Sequence, residues 1–281
     1  MKRILTSGIS RLFQCFGYVV QRPENLEWRS FSHHLAFLFK RLHIQCVLDV
    51  GANVGGYRHF LRNSVGYDGQ ILSFEPVEEN LNTLRALAKN DPQWQIYGYA
   101  LGSQNKTMEI NVMKGPVFSS FLNPDTSVVA QFNDANRIDH KATVDVRTLD
   151  SVLGPLQTKL KLQNIFLKMD TQGYDLEVIK GAEATLQQIY AIQTEVSLRK
   201  IYESMPSFTE SYQMLKEKGF DITGMYPVSR DPLLRVIEFD CVMINQAHEN
   251  QITEWNRPSL KGISPQNRRS PSVRPDDRER A

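Results

Sequence analysis

Four acids sit where apolar runs stop. Cys46-Val47-Leu48-Asp49-Val50 runs into a glycine-rich turn, Gly51-Ala52-Asn53-Val54-Gly55-Gly56, and Gln70-Ile71-Leu72-Ser73-Phe74 ends in Glu75. Asn164 to Met169 ends in Asp170, and Gln193-Thr194 leads to Glu195. Such runs read as strands reaching the carboxyl edge of a sheet, where open α/β sheets bind their ligands. The turn after Asp49 lets a ligand approach bare backbone, and the helix opening near Tyr57 offers its N-terminal amides. Glu75 lies 26 residues beyond Asp49, where an acid can accept both hydroxyls of a ribose.

A dinucleotide site would show G-x-G-x-x-G. This chain shows D-x-G-A-N-x-G, led by an acid and with Asn53 in place of the middle glycine. Asp49 would repel a pyrophosphate and complement a ligand carrying an amino group or a sulfonium. The combination favours S-adenosylmethionine over a nicotinamide dinucleotide. It assigns Asp49, Gly51, Asn53, Gly55 and Glu75 to the cofactor, with Ala100 and Leu101 at a further turn on the same edge.

The elements that carry these residues follow a β-α-β-α-β rhythm. Strands are expected over Gln45–Val50, Gln70–Glu75 and Trp94–Ala100, with a helix through Phe60 and Leu61 and another over Glu78–Lys89. Short connections of this kind predict a parallel, doubly wound α/β sheet with right-handed crossovers. The rhythm resumes with a strand over Asn164–Asp170, a helix over Tyr174–Gln188 and a strand over Ala191–Val196. A helix over Phe208–Lys218 and a strand pair, Phe220–Tyr226 and Val236–Ile244, close the domain at about residue 245. Residues 101–163 interrupt the rhythm as an insert. Strands Thr107–Met113 and Ala142–Val146 flank a polar segment with Ser119, Ser120 and Asn123-Pro124-Asp125, which reads as a lid or substrate wall. Residues 1–44 read as a helical N-terminal cap, with Phe31, Leu35, Leu38, Phe39 and Leu42 at helical spacing. Residues 246–281 read as a basic tail too poor in apolar residues to bury a core.

Composition narrows the class. The chain has 281 residues, 41% hydrophobic and 23% charged, with a formal net charge of +2, so no global charge calls for nucleic acid or an anionic membrane. Cys15, Cys46 and Cys241 form no C-x-x-C pair; a zinc cluster or disulfide framework is not expected, and a reducing, cytoplasmic setting is. Met1–Val20 carries Lys2, Arg3 and Arg11 among apolar residues. It reads first as a packing helix, with membrane-surface contact as the minor reading.

The stretch Leu167-Lys168-Met169-Asp170-Thr171-Gln172-Gly173-Tyr174-Asp175-Leu176-Glu177-Val178-Ile179-Lys180-Gly181-Ala182 resembles the signature K-x-D-x-x-G-x-E-x-x-V-x-x-G-A of the FkbM family of methyltransferases. Arg147-Thr148-Leu149-Asp150, Asp49 to Gly55 and Phe74-Glu75-Pro76 match the same family, in the right order, over roughly residues 45–225. Asp175 is read as a departure, leaving Glu177 as the matching acid. The resemblance implies a Rossmann-like class I methyltransferase fold and S-adenosylmethionine as cofactor. It puts the methionine part on the Asp49–Gly55 turn, the ribose on Glu75, and Asp170 and Gln172 near the transferred methyl group. It also implies O-methylation of a hydroxyl on a sugar, glycan or other small molecule.

That chemistry asks for little machinery. The acceptor oxygen must be held in line with an electrophilic methyl group, and a hydroxyl is helped by a nearby base. Asp170 is the first candidate base, Glu195 the second and His140 the third. Each has a plainer reading: Asp170 as a helix cap, Glu195 paired with Arg199 or Arg147, His140 as a surface histidine. Ser119 and Ser120 lie in the insert and suit either a turn or the acceptor. Lys168, in an apolar strand, is expected to pair with a carboxylate, and no metal site is read. Two further functions stay open: a cofactor-binding module without catalysis, and N-methylation of a small molecule. Nucleic-acid methylation lacks its N/D-P-P-Y/F strand tip.

Overall fold

The computed structural model describes residues 26–127 and 129–251. The Met1–Val20 segment and the tail beyond residue 251 lie outside the described residues. Helix α1 (Leu26–Arg41) precedes strand β1 (Cys46–Val50), and α2 (Gly56–Phe60) continues through a π turn to Val65. Then come β2 (Gln70–Phe74), α3 (Glu78–Ala88), β3 (Trp94–Tyr97) and the two-residue β4 (Ala100–Leu101). The insert contributes β5 (Lys106–Met113) and β6 (Ile138–Arg147). After it run α4 (Leu149–Leu160), β7 (Ile165–Met169), α5 (Asp175–Lys180), β8 (Ile189–Ser197), α6 (Phe208–Glu217), β9 (Phe220–Arg230) and β10 (Val236–Asn245).

Seven strands form the central sheet in the order β3-β2-β1-β7-β8-β10-β9. All neighbours are parallel through β8, and β10 runs antiparallel between β8 and β9. Alternation along each strand separates two cores. Cys46, Leu48, Val50, Ile165, Leu167 and Met169 face α4, α5 and α6. Val47, Ile71 and Phe166 face the other way, onto Phe31, Leu35, Leu38 and Phe39 of α1. The helical spacing of α1's apolar residues thus covers one face of the sheet.

Two sequence expectations are corrected. The strand expected over Trp94–Ala100 breaks at Gly98, where an added Cβ would press on Leu81 at 3.1 Å. Ala100–Leu101 joins instead a second, three-stranded sheet in the order β4-β6-β5, built by the insert. The helix expected over Tyr174–Gln188 stops at Lys180, because Gly181 packs against the Gly102 main chain. Helix α4, which begins inside the stretch read only as the insert, carries Gly154-Pro155. It forms because Thr148 caps Ser151 N and Leu149, Val152, Leu153 and Leu156 are buried, burial that outweighs one missing main-chain donor.

Candidate active site

The strand tips do converge. Side chains at period two place Ser73, Asp49, Lys168 and Gln193 in one line across β2, β1, β7 and β8, on the α1 side of the sheet. Asp49 is fully buried there. One of its oxygens accepts Ser73 Oγ at 2.8 Å, which in turn accepts Trp94 Nε1 at 2.9 Å. The other lies 3.2 Å from Lys168 Nζ. Lys168 also reaches Asp170 Oδ2 at 3.3 Å, and its ammonium stands over the Tyr57 ring at 5.0 Å. Burial disfavours the charge on Lys168, but Asp170 and Asp49 outweigh it and raise its pKa. Lys168 therefore pairs with carboxylates, as expected for its place in an apolar strand.

A cleft opens at the carboxyl edge. Gly51, Asn53, Glu75, Ala100 and Leu101 line its floor. The insert walls it with Ile110, Pro116, Val117, Ser119, Ser120 and Phe121, and Asp170, Thr171 and Gln172 close the far end. Of the residues assigned to the cofactor from sequence, Asp49 and Gly55 do not line the cleft. Asp49 points down to Lys168, and Gly55, at φ 87, fits against Trp94 2.9 Å from where a Cβ would stand.

The turn is also not an anion cradle. Gly51 N and Ala52 N both donate to Phe74 O, at 3.0 and 3.2 Å, and Asn53 N donates to Glu75 Oε2 at 2.8 Å. Main-chain donors that a phosphate would need are already committed. Gly51, at φ 78, leaves no room for a side chain, since a Cβ would stand 2.1 Å from Asp170 O. Glu75 is buried and accepts Val77 N at 3.0 Å and Asn80 Nδ2 at 3.3 Å on Oε1. Burial raises its pKa against the opposing pull of those donors. With about four lone-pair sites on a carboxylate, three are filled, so Glu75 has room for one further hydroxyl rather than two. Asn53 Oδ1 is buried beside it without a hydrogen-bond partner.

Asp170 is the most open acid here, with its side chain 40% exposed. It does not cap α5. Asp175 does the local work instead, accepting Thr171 N at 2.9 Å, the Thr171 hydroxyl, and Thr194 Oγ1 at 2.6 Å. Counted from Lys168, Asp175 is also the residue at the signature's glutamate position, so the matching acid is Asp175 and the expectation placed on Glu177 is corrected. Glu177 lies nearer the surface, with Ser103 and Lys180 each at 2.5 Å.

Glu195 does not line the cleft and pairs with neither arginine. Arg199 binds Asp231 and Arg147 binds Asp145. Glu195 accepts Gln172 Nε2 at 2.8 Å, and that nitrogen also donates to Asp170 Oδ1 at 2.9 Å. Opposite Glu195 on β10 stands Asp240, with Glu238 two residues before it on the same face. Sequence reasoning missed both; the signal was the acids at alternate positions in an otherwise apolar strand. Burial, then Glu238 and Asp170, raise the pKa of Glu195, and burial pushes Glu238 up to about 7 and Asp240 up to about 6. Lying within β8 and outside the cleft lining, Glu195 reaches Asp170 through Gln172. His140 is exposed on β6, 3.0 Å from Asp139, away from the cleft. Among the described residues, no three histidines, cysteines or acids are arranged to hold a metal ion.

A sheet in this strand order, with its antiparallel strand next to last in space and its cleft at the carboxyl edge, defines the Rossmann-like fold of class I methyltransferases. The chain belongs to the FkbM methyltransferase family, whose domain profile matches residues 49–222. Among solved structures, it is similar to an FkbM methyltransferase from Methylobacillus flagellatus, at 16% identity and a TM-score of 0.43, covering 72% of this chain and 43% of that one. An rRNA methylase from Streptococcus thermophilus matches at 11% identity and a TM-score of 0.39, covering 81% of this chain and 99% of that one. Magnesium protoporphyrin IX methyltransferase from Synechocystis, with bound S-adenosylmethionine, matches at 8% identity and 0.39, covering 85% and 91%. No curated protein matches the chain.

Proposed function

We propose that the protein transfers a methyl group from S-adenosylmethionine to a hydroxyl oxygen of a sugar, glycan or other small molecule. The observation that carries this reading is Asp170: an open carboxylate at the end of a cleft floored by Glu75, with both its oxygens oriented by fixed donors. The residues suit the cofactor. Glu75 keeps an acceptor site for a ribose hydroxyl, and Asn53 Oδ1 is a buried acceptor without a partner. When bound, S-adenosylmethionine supplies an electrophilic methyl group.

The chain's own residues do the rest. Lys168 and Gln172 hold Asp170 so that each oxygen keeps a free lone pair, and one of these accepts the proton of an incoming hydroxyl. Gly51, Ala100 and Leu101 give the cofactor a floor without charge. The insert walls the cleft, which reduces water at the transfer site. We take residues 45–245 as the catalytic unit, capped by α1. No helix among the described residues is long and apolar enough to cross a membrane. The buried free thiols of Cys46 and Cys241, each pushed up to about 12 by burial, support a reducing compartment.

The test is transfer from isotopically labelled S-adenosylmethionine into a fractionated cell extract, with mass spectrometry of the labelled product. A methyl ether is expected; a methylated nitrogen, or no product, defeats the reading. In the same assay Asp170→Asn should bind cofactor as the wild type does and transfer at least tenfold more slowly.

A further inference from the structure

Gln172 sits in the left-handed region, at φ 53, where residues other than glycine, asparagine and aspartate are uncommon. Its main-chain carbonyl and both polar atoms of its side chain are engaged. The main-chain carbonyl accepts Ser120 Oγ at 2.7 Å. Nε2 spans Asp170 and Glu195, and Oε1 accepts the Tyr202 hydroxyl at 2.7 Å. The amide can face only this way, since the nearest oxygens of both acids accept and the phenol donates. Without Tyr202, an amide held only by its nitrogen between two carboxylates could pivot about its broad terminal torsion.

Tyr202 is 1% exposed, with its ring packed among Met113, Val129, Ile201, Met205 and Ile237. Its hydroxyl lies 2.8 Å from the Phe118 carbonyl as well as 2.7 Å from Gln172 Oε1. One proton thus serves two acceptors, one on the insert and one on the residue that grips Asp170. The main chain around Tyr202 is stitched to the insert too, through Asp125 N to Ile201 O and Glu203 N to Asn123 O, both at 2.8 Å.

We propose that Tyr202 is a positioning residue: through Gln172 it sets the orientation of Asp170, and through Phe118 it fastens the insert over the cleft, so that the two are one event. What Asp170 does once set rests on the methyl-transfer reading; the linkage itself does not. Tyr202→Phe keeps the ring and deletes the shared proton. In ligand-free protein, hydrogen exchange over residues 116–122 should quicken at least fivefold while the amides of β1 and β7 keep their rates. With labelled S-adenosylmethionine and the extract fraction that the wild type methylates, kcat should fall at least tenfold and KM for S-adenosylmethionine change less than threefold. Gln172→Asn, which keeps a side chain at home in the left-handed region but is too short to span both acids, should lose kcat alike, and adding Tyr202→Phe to it should cost less than a further twofold. Unchanged exchange over 116–122 overturns the linkage, as do kcat losses that multiply in the double variant. If the wild type neither binds S-adenosylhomocysteine nor transfers a methyl group, the methyl-transfer reading fails, and the exchange measurement still decides the linkage.

Discussion

Lys168 stands between Asp49 and Asp170, while Glu195, Glu238 and Asp240 gather on the next two strands, β8 and β10. Burial and repulsion from neighbouring acids raise the pKa of all three. For Glu238 the folded state raises the pKa from 4.5 to about 7, so between those values the folded chain holds a proton that the unfolded chain has released. Its contribution is therefore fully present below about pH 4.5, is lost as pH rises toward 7, and is flat beyond. Asp240, raised to about 6, acts in the same direction. Glu238→Gln should flatten the fall in urea-unfolding free energy between pH 5 and 7, and at pH 8 it should gain on the wild type by about 1–2 kcal/mol. Parallel pH profiles for the two proteins would show that Glu238 titrates normally. Sequence could mark Asp170 and Glu195, because both end apolar runs. It could not show that a glutamine joins them.

At the level of elements, the family signature is a packing requirement as much as a chemical one. Gly181 lies so close to the Gly102 main chain that a Cβ would stand 2.0 Å from its carbonyl oxygen, and Gly181 O accepts Asp150 N at 3.0 Å. Asp150 in turn accepts Ala184 N and Thr185 N at 3.1 and 2.9 Å, so the Arg147–Asp150 stretch caps α4 and anchors the chain leaving α5. Gly181→Ala must push α5 and the Asp170–Gly173 turn away from β4. A loss of about 2–3 kcal/mol in denaturant unfolding is expected, together with weakened cofactor binding. Gly154, inside α4 with nothing within 4 Å of where a Cβ would stand, is the control: Gly154→Ala should be neutral or stabilise by up to about 1 kcal/mol. Equal effects at the two sites would contradict the packing account.

For the molecule as a whole, the cleft joins parts far apart in the chain: the β1 turn, Glu75, the insert and the β7 tip. A ligand held by all of them stabilises the folded state by mass action. At a hundred times its dissociation constant, S-adenosylhomocysteine should add about 2.7 kcal/mol, or roughly 5–10 °C in Tm for a domain of this size. On the proposed contact between Glu75 and the ribose, Glu75→Ala should lose most of that rise. A full rise in the variant would place the ribose elsewhere.

Features that repeat with a short period, or that sit at the end of a run, were legible in the chain before any folding. The alternation of β and α signals defined a parallel sheet, the apolar spacing of α1 defined its cover, and acids at strand ends defined the binding edge. These follow from local geometry: 3.6 residues per helical turn, two per strand repeat. Which strand-end acid faces the ligand was settled only on folding. Asp49 and Glu75 look alike in sequence, yet a period of two turns Asp49 under the sheet to Lys168, while Glu75, one residue past its strand, reaches the cleft. Folding also settled that β10 enters between β8 and β9, bringing Glu238 and Asp240 up to Glu195, and that Tyr202 reaches back to Gln172. Pairings between residues far apart in the chain depend on which surfaces meet in the folded molecule, and no local pattern encodes them.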